Sequence, residues 1–184
     1  MIRLEYFTEA DFQQLINWIN DEHLLMNWSG AMFRFPLTES SLKWYIEGAN
    51  EQGDSEVYIY KAIDTDSGEV VGHISLGGIS KKNKSARISR VLVGNTAARG
   101  KGYCTEMIKA VSRIGFEELG LHRISLGVYD FNKAAIRCYQ KAGFSIEGVH
   151  RDILQYNEDE YWSLVEMSML ETEWIAQTPK LANS

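Results

Sequence analysis

Two glycines and two cations share a short segment that could bind an anion. Gly100 and Gly102 flank Lys101 and follow Arg99, between a β-branched run and an amphipathic stretch. The first N–H groups of a helix have no partner within the helix, and the helix dipole adds partial positive charge there. Glycine lacks the Cβ that would block an anion's approach. The segment Ala98–Gly102 therefore predicts a phosphate-binding turn that opens a helix; a plain strand-to-helix turn is the alternative.

Two familiar phosphate-binding motifs do not fit this segment. A Walker-type loop needs a correctly spaced glycine before the Gly-Lys pair and a Ser or Thr after it. Here Gly94 lies one residue too far from Gly100, and Gly102 follows the lysine. A dinucleotide-binding fingerprint needs a third glycine at the position that Thr105 occupies. The predicted anion site belongs to neither nucleotide loop.

A second segment, Asn132–Phe144, places polar groups on another predicted helix. Asn132 is a good N-cap residue, and Gly143 suits the position after the last helical residue. Tyr139 lies on this helix, and a tyrosine hydroxyl can donate a proton to a reacting group. The alternative for Tyr139 is an aromatic core residue one turn after Ala135.

Apolar and polar patterns around these segments predict the elements that position them. Strands are expected over 2–7, 57–63, 69–76, 86–93, 123–128, from 144 and over 161–170. Helices are expected from 12, over 21–28, from 38, over 102–119 and over 132–142. Strand–helix–strand–helix order after an antiparallel meander indicates a mixed sheet in an α+β domain. We expect one domain over 1–175 and a C-terminal tail over 176–184.

Composition excludes several classes of protein. The 184 residues are 45% hydrophobic and 24% charged, with a formal net charge of −6, which argues against a nucleic-acid coat. There is no signal-peptide pattern and no apolar run long enough for a membrane span. The two cysteines, Cys104 and Cys138, are expected to pack as small apolar residues rather than form a bridge. No Cys/His spacing indicates a metal site. A cytoplasmic protein that contacts neither nucleic acid nor membrane is the natural prediction.

Residues 91–107 and 132–144 together resemble the two signatures of the GNAT superfamily of N-acetyltransferases. The first signature, Q/R-x-x-G-x-G/A at a helix start, is matched except that Ala97 stands at the Q/R position. The second, N-x-x-A-x-x-x-Y-x-K-x-G-F, is matched throughout. Features near the C-terminus, Gly148 with Arg151–Asp152 and Tyr161–Trp162, look like the RimJ/RimL-like branch. The helical N-terminal third would carry a variable acceptor site.

The resemblance implies a fold, a reaction and a set of residues. The fold would be a mostly antiparallel, twisted sheet of about seven strands flanked by helices. The reaction would be direct acetyl transfer from acetyl-CoA, without a metal, to a primary amine of a small molecule or a peptide N-terminus. Tyr139 would be the general acid and Ser89 a proton relay through water. Cofactor contacts would come from Leu92, Val93, Ala98, Arg99, Gly100, Lys101, Gly102, Tyr103, Cys104, Asn132, Ala135 and Tyr139.

The general base, the function, the aromatic residues and the oligomeric state each have alternatives. The strand over 86–93 holds no carboxylate to act as the general base, so Glu147, Asp152, Asp130 or a water chain are alternatives. A longer acyl-CoA, or a non-catalytic acyl-CoA sensor, is the competing function. Trp28, Phe33, Phe35 and Trp44 are expected in the core, or else as walls of the acceptor pocket. The protein is expected to be a monomer or a homodimer.

Overall fold

The computed structural model describes residues 1–94 and 96–179. Its strands are β1 Ile2–Tyr6, β2 Tyr58–Asp64, β3 Val70–Ser80, β4 Ser85–Val93, β5 Arg123–Tyr129, β6 Ser145–Asn157 and β7 Glu160–Leu170. Its α-helices are α1 Phe12–Trp18, α2 Glu22–Ser29, α3 Glu39–Ile46, α4 Tyr103–Arg113, α5 Lys133–Lys141 and α6 Glu171–Gln177. The helix predicted over 102–119 is thus α4 continued by a π-helical turn, Ile114–Glu118.

The seven strands form one sheet in the order β1-β2-β3-β4-β5-β7-β6. Every neighbouring pair is antiparallel except β4 and β5, which run parallel. A parallel pair needs a crossover connection, and α4 supplies it. The predicted mixed, mostly antiparallel α+β architecture is confirmed.

Helices cover the two faces of the sheet and bury two separate cores. On one face, Met107 and Ile108 of α4 and Trp174 of α6 pack against inward residues such as Tyr60. On the other face, the N-terminal helices pack against residues such as Ile59. Neighbouring residues of β2 enter different cores because side chains alternate across a strand. The helix caps that the sequence indicated also form, as where Thr38 accepts from the backbone N–H of Ser41.

The helix α6 was not predicted from the sequence. Its Trp174 is buried and stacks on Phe116, and Gln177 Nε2 donates to the carbonyl of Ala142. Ala176 and Gln177, expected in the tail over 176–184, therefore lie in this helix. Residues 180–184 of that expected tail lie outside the described residues.

The expectation of two unbridged cysteines is wrong. Cys104, in the first turn of α4, forms a disulfide with Cys138 of α5. The two residues are 34 positions apart in sequence, but α4 and α5 pack side by side and bring the two side chains together. The disulfide therefore links α4 and α5, the helices that begin within the two sequence signatures.

The central strand β4 contains a bulge. His73 of β3 pairs with Leu92, but Ser75 pairs with Ser89, so β4 has one residue more than β3 between these pairs. Arg90 takes up the extra length with φ of +52°, a left-handed conformation that is costly for a residue with a Cβ. The bulge lies directly before Leu92 and Val93, two of the residues that the family resemblance assigns to the cofactor.

Side chains from the N-terminal helices hold the bulge. Trp28 Nε1 donates to the carbonyl of Arg90 at 2.9 Å, and Arg90 Nε donates to Tyr45 Oη at 3.1 Å. Tyr45 Oη lies 3.0 Å from His73 Nε2. Tyr45 Oη therefore accepts from Arg90 and also hydrogen bonds with His73, so that it joins the two side chains. His73 thus belongs to the hydrogen-bond network that holds β4.

This network predicts a pH dependence of stability. Burial, together with the nearby Arg90 charge, lowers the pKa of His73 to about 3, whereas an unfolded histidine titrates near 6.5. Below pH 6.5 the unfolded chain therefore binds a proton that the folded chain does not. We expect the free energy of unfolding to fall by about 2 kcal/mol from this group between pH 7 and pH 5, and to be unaffected by it above pH 7.

Urea unfolding at several pH values of the wild type and the His73→Gln variant measures this component. The variant should lose the slope between pH 7 and pH 5 whatever its absolute stability. His122→Gln, at an exposed histidine, is the matched control and should keep the slope. An equal slope in His73→Gln and the wild type would contradict the assignment.

Candidate active site

A cleft opens where β4 and β5 part. Their parallel pairing covers only Ser85–Ile88 against Arg123–Leu126. Beyond it, the edges of β4 and β5 line a cavity of about 580 Å³ together with α2, α4 and α5. This volume lies within the ordinary range for small-molecule sites. The facing backbone groups of two parted strands can accept an extended ligand arm as an added strand.

One end of the cleft is the predicted phosphate turn. Gly100 has φ of +78° and Gly102 has φ of +81°, and a Cβ built on either would meet no protein atom within 4 Å. Gly102 is the N-cap of α4 and supplies no side-chain cap, so the first N–H groups of α4 are left for another acceptor. The backbone conformation and the open space therefore both call for glycine, as an anion site at a helix start requires.

The cleft gathers almost all of the predicted site residues. Its lining includes Ser89, Leu92, Val93, Ala98, Arg99, Gly100, Gly102, Tyr103, Cys104, Asn132, Ala135 and Tyr139. Lys101 is exposed and is not among the lining residues, so its position does not support the expected phosphate contact.

Two lining cations were missed by sequence reasoning. Arg137 and Lys141 lie one turn apart on α5 and border the same cleft as Arg99. Their spacing was visible within the second signature, but only the packing of α5 beside α4 shows that they face the phosphate turn. Together with Arg99, they replace Lys101 as the candidate partners for a polyanionic ligand.

Tyr139 lies between the two ends of the cleft. Its side chain is buried, and burial raises the pKa of its hydroxyl well above the ordinary value for tyrosine. The phenol therefore keeps its proton across the neutral range. No described residue hydrogen bonds to the hydroxyl, although the side chain lines the cleft. A protonated donor that no described residue engages is available to a ligand.

Asn132 forms the N-cap that the sequence indicated. Its Oδ1 accepts from the backbone N–H of Ala135 at 3.2 Å, which leaves its amide nitrogen for another partner. Both residues border the cleft, opposite the exposed edge of β4. Asn132 is therefore placed to begin α5 and to contact a ligand at the same time.

The candidate bases are distributed unevenly. Ser89 lines the cleft, and its carbonyl accepts from Ser75 Oγ. Asp130 and Asp152 are absent from the lining residues, as is Glu147. Glu147 is paired with Arg123 and accepts from Ser168 Oγ, which lowers the pKa of its carboxyl to about 2. Of these four side chains, only Ser89 belongs to a residue that lines the cleft, and the choice of base stays a prediction.

The other end of the cleft is formed by α2 and the end of β5. Leu24, Asn27 and Trp28 face it from α2, and Tyr129 from β5. Burial raises the pKa of the Tyr129 hydroxyl. Because these residues belong to other elements than the phosphate turn, they form the candidate acceptor site.

The four aromatic residues of the N-terminal third divide into two groups. Trp28 and Phe33 are buried, as expected for core residues. Phe35 and Trp44 are 42% and 59% exposed, so the expectation that they pack in the core is wrong. Both border a shallower surface cavity of about 400 Å³. Trp44 lies on α3 and Phe35 in the loop before it, and neither side chain faces the core that α3 covers.

The described residues hold neither a metal-ligand cluster nor a membrane-spanning helix. Among residues 1–94 and 96–179, no group of three or more His, Cys, Asp or Glu side chains could hold a metal ion. Within the same described ranges, no helix is long and apolar enough to cross a bilayer.

The comparison with protein families identifies the family of the chain. Residues 2–145 match the model of the acetyltransferase (GNAT) domain. The chain belongs to the GNAT acetyltransferase family, and it is an acetyl-CoA-dependent N-acetyltransferase. Acetyl-CoA is accordingly its co-substrate.

Relatives of known sequence agree with this assignment. An uncharacterized N-acetyltransferase from a prophage of Bacillus subtilis, YokL, is 31% identical over 134 residues, which cover 73% of this chain and 71% of the relative. An aminoglycoside N(6')-acetyltransferase type 1 of Klebsiella pneumoniae is 26% identical over 152 residues, covering 80% of this chain and 75% of the relative.

Solved structures share the fold. The spermidine N-acetyltransferase of Vibrio cholerae, crystallised with CoA and spermine, superposes with a TM-score of 0.79 at 21% identity. The superposition covers 95% of this chain and 98% of that one. At this identity the likeness establishes the architecture.

The glycine turn yields a prediction with a matched control. Gly102→Ala adds a Cβ at the mouth of the phosphate turn and forces a residue with a side chain into the left-handed region, at a cost of about 1–2 kcal/mol in stability. Losing one or two charged hydrogen bonds to phosphate should also weaken CoA binding by about 10-fold or more. Isothermal titration with CoA measures the loss.

Gly120→Ala is the control, because Gly120 has φ of +65°, equally open surroundings and no place in the cleft. It should show a similar loss of stability with unchanged CoA affinity. Equal CoA affinity in Gly102→Ala and Gly120→Ala would show that the turn does not bind the phosphates.

Proposed function

We propose that the protein transfers the acetyl group of acetyl-CoA to the primary amine of a small molecule or a peptide N-terminus by direct attack. One observation carries this proposal: a left-handed glycine turn opens α4 beside the parted edges of β4 and β5. A ligand with a pyrophosphate and an extended amide-bearing arm fits both features at once. Acetyl-CoA has this composition, and its thioester would then lie at the end of the arm, near Tyr139.

The cofactor-binding roles follow the order of elements along the cleft. The first N–H groups of α4 and the cations Arg99, Arg137 and Lys141 would hold the phosphates. Backbone groups of Leu92 and Val93 would pair with the pantetheine amides, because the bulge frees this edge of β4 from β5. Ala98, Tyr103, Cys104, Asn132 and Ala135 would complete the contacts along the arm.

The reaction needs one new bond and two proton movements. The neutral amine attacks the thioester carbon, the N–C bond forms, and the C–S bond breaks as the amine loses a proton to water near Ser89. Tyr139 is the proposed acid. Because its pKa is raised above that of a thiol, it acts first as a hydrogen-bond donor to the sulfur as negative charge develops there. The departing thiolate then takes up a proton from the solvent that exchanges with the cleft and becomes the free thiol.

The finer assignments stay predictions. Aminoglycoside and spermidine acetyltransferases among the relatives favour a small-molecule amine, whereas the RimJ/RimL-like residues near the C-terminus favour a peptide N-terminus. A longer acyl group is an alternative donor. The competing function is a sensor that binds acyl-CoA without transfer. If an amine raises the release of free thiol above the rate seen without an amine, the protein is a transferase; if it does not, the protein is a sensor.

The proposals for domain organisation, oligomeric state and compartment rest on sequence composition. We infer a single acetyltransferase domain over 1–175, a monomer or homodimer, and cytoplasmic residence without nucleic-acid or membrane partners. The Cys104–Cys138 disulfide counts against the cytoplasm, where thiols are kept reduced. Compartment and oligomeric state therefore stay predictions.

Substitution of Tyr139 tests the mechanism. Tyr139→Phe removes the only atom assigned to the departing sulfur, so kcat should fall about 100-fold or more while CoA affinity stays within about 3-fold. Thiol release under saturating acetyl-CoA gives kcat, and calorimetry gives the affinity.

Tyr60→Phe is the control, because Tyr60 is as buried as Tyr139 but lies on β2, outside the cleft. It should leave kcat unchanged. A kcat in Tyr139→Phe equal to that of Tyr60→Phe would remove Tyr139 from the reaction.

A further inference from the structure

The charge of the cleft is opposite to the charge of the chain. The protein carries a formal net charge of −6, yet the described lining residues include no Asp and no Glu. The lining does include four cations, of which Arg99, Arg137 and Lys141 border the phosphate end. The fourth, Arg90, lies in the β4 bulge beside Trp28 and Asn27 of α2, at the acceptor end.

Arg90 is a half-buried cation to which no described residue supplies a counter-ion. Among the described residues, no carboxylate lies within 4.0 Å of its guanidinium. The nearby strand cation Arg87, by contrast, is paired with Glu166. Removing a charge partly from water without pairing it is unfavourable, so such a cation favours binding of an anion.

The guanidinium of Arg90 is also held in one place. Its Nε donates to Tyr45 Oη at 3.1 Å, its Nη1 lies 3.5 Å from Met32 Sδ, and its central carbon lies 5.2 Å from the centre of the Tyr45 ring. Its Nη2 makes no hydrogen bond to a described residue. Fixed on one side by Tyr45 and open on the other, the planar group presents donors in the geometry that suits a carboxylate.

We propose that the acceptor is a small amine with a carboxylate a few bonds from the reacting nitrogen, as in an α-amino acid, and that Arg90 binds this carboxylate. The proposal rests on the proposed acetyl transfer. Arg90 lies two residues before Leu92, where the strand edge assigned to the pantetheine arm begins, so a carboxylate bound there would lie near the acyl end of that arm. Leu24 and Trp28 offer apolar contact to the rest of the acceptor.

A polycation is the contrasting acceptor. Spermidine or an aminoglycoside would bring additional positive charges next to Arg90, and no carboxylate of the described lining would neutralise them. Like charges brought together in a partly dehydrated site oppose binding. This chain is therefore expected to differ in acceptor from the spermidine and aminoglycoside acetyltransferases to which it is similar.

The test compares amines that differ only in the carboxylate. Thiol release from acetyl-CoA is measured with leucine, leucinamide and spermidine at equal concentrations of the neutral amine. We expect kcat/KM for leucine to exceed that for leucinamide by at least 10-fold, with spermidine the poorest of the three. A wild-type preference for leucinamide or spermidine overturns the proposal.

Variants then assign the preference to Arg90. Arg90→Gln should bring the leucine-to-leucinamide ratio close to one, Arg90→Lys should retain part of it, and Arg90→Glu should favour leucinamide. Because the ratio compares two acceptors on one protein sample, it is independent of the fraction that folds. Arg34→Gln, at an exposed arginine of the neighbouring loop, is the control and should keep the wild-type ratio.

The outcomes separate the two proposals. An unchanged ratio in Arg90→Gln overturns the role of Arg90 but leaves acetyl transfer standing. Binding of acetyl-CoA without thiol release for any amine overturns acetyl transfer, and the acceptor proposal with it. Acetylated leucine detected by mass spectrometry, together with a lost ratio in Arg90→Gln, supports both.

Discussion

The pairing of β4 with β5 is interrupted midway along both strands, and the rest of the site follows from that interruption. Parallel neighbours in a sheet normally continue their hydrogen bonds to the strand ends, because a buried N–H or C=O without a partner is costly. Here the pairs stop at Ile88 and Leu126, and the edges beyond them line a cleft. The stability lost in this gap must be offset elsewhere, and a ligand that supplies the missing partners recovers part of it.

The N-terminal helices keep the gap open. Arg90 takes up the extra residue of β4 in a strained conformation, and Trp28 and Tyr45 bind its carbonyl and its side chain. The imidazole of His73 hydrogen bonds with Tyr45 Oη. A single network thus shapes the edge that faces the cofactor and places a fixed cation at the acceptor end. Cofactor binding and acceptor choice are therefore linked through β4.

The sequence predicts the parts of the site that depend on local chemistry. Gly100, Gly102 and Asn132 could be found because turns and helix starts require particular residue types within a few positions. The order of strands and helices also followed from local periodicity. Long-range packing is different: the Cys104–Cys138 disulfide depends on how α4 lies against α5, which no local pattern specifies.

Arg90 shows why the acceptor end was harder to predict. Arginine in a strand carries no signal for a bulge, and its left-handed conformation is maintained by partners from distant helices. The same limit applies to Arg137 and Lys141, which are ordinary helix residues until α5 is placed beside the phosphate turn. The exposed Phe35 and Trp44 were misjudged because hydrophobic type alone does not determine burial.

A crystal structure with bound CoA would show whether the glycine turn and the parted edge of β4 hold the cofactor. We expect the pyrophosphate within hydrogen-bond distance of backbone N–H groups between Gly100 and Cys104, with the pantetheine amides paired to the β4 edge at Leu92 and Val93. CoA bound outside the gap between β4 and β5, or phosphates that contact side chains but none of these N–H groups, would contradict this expectation.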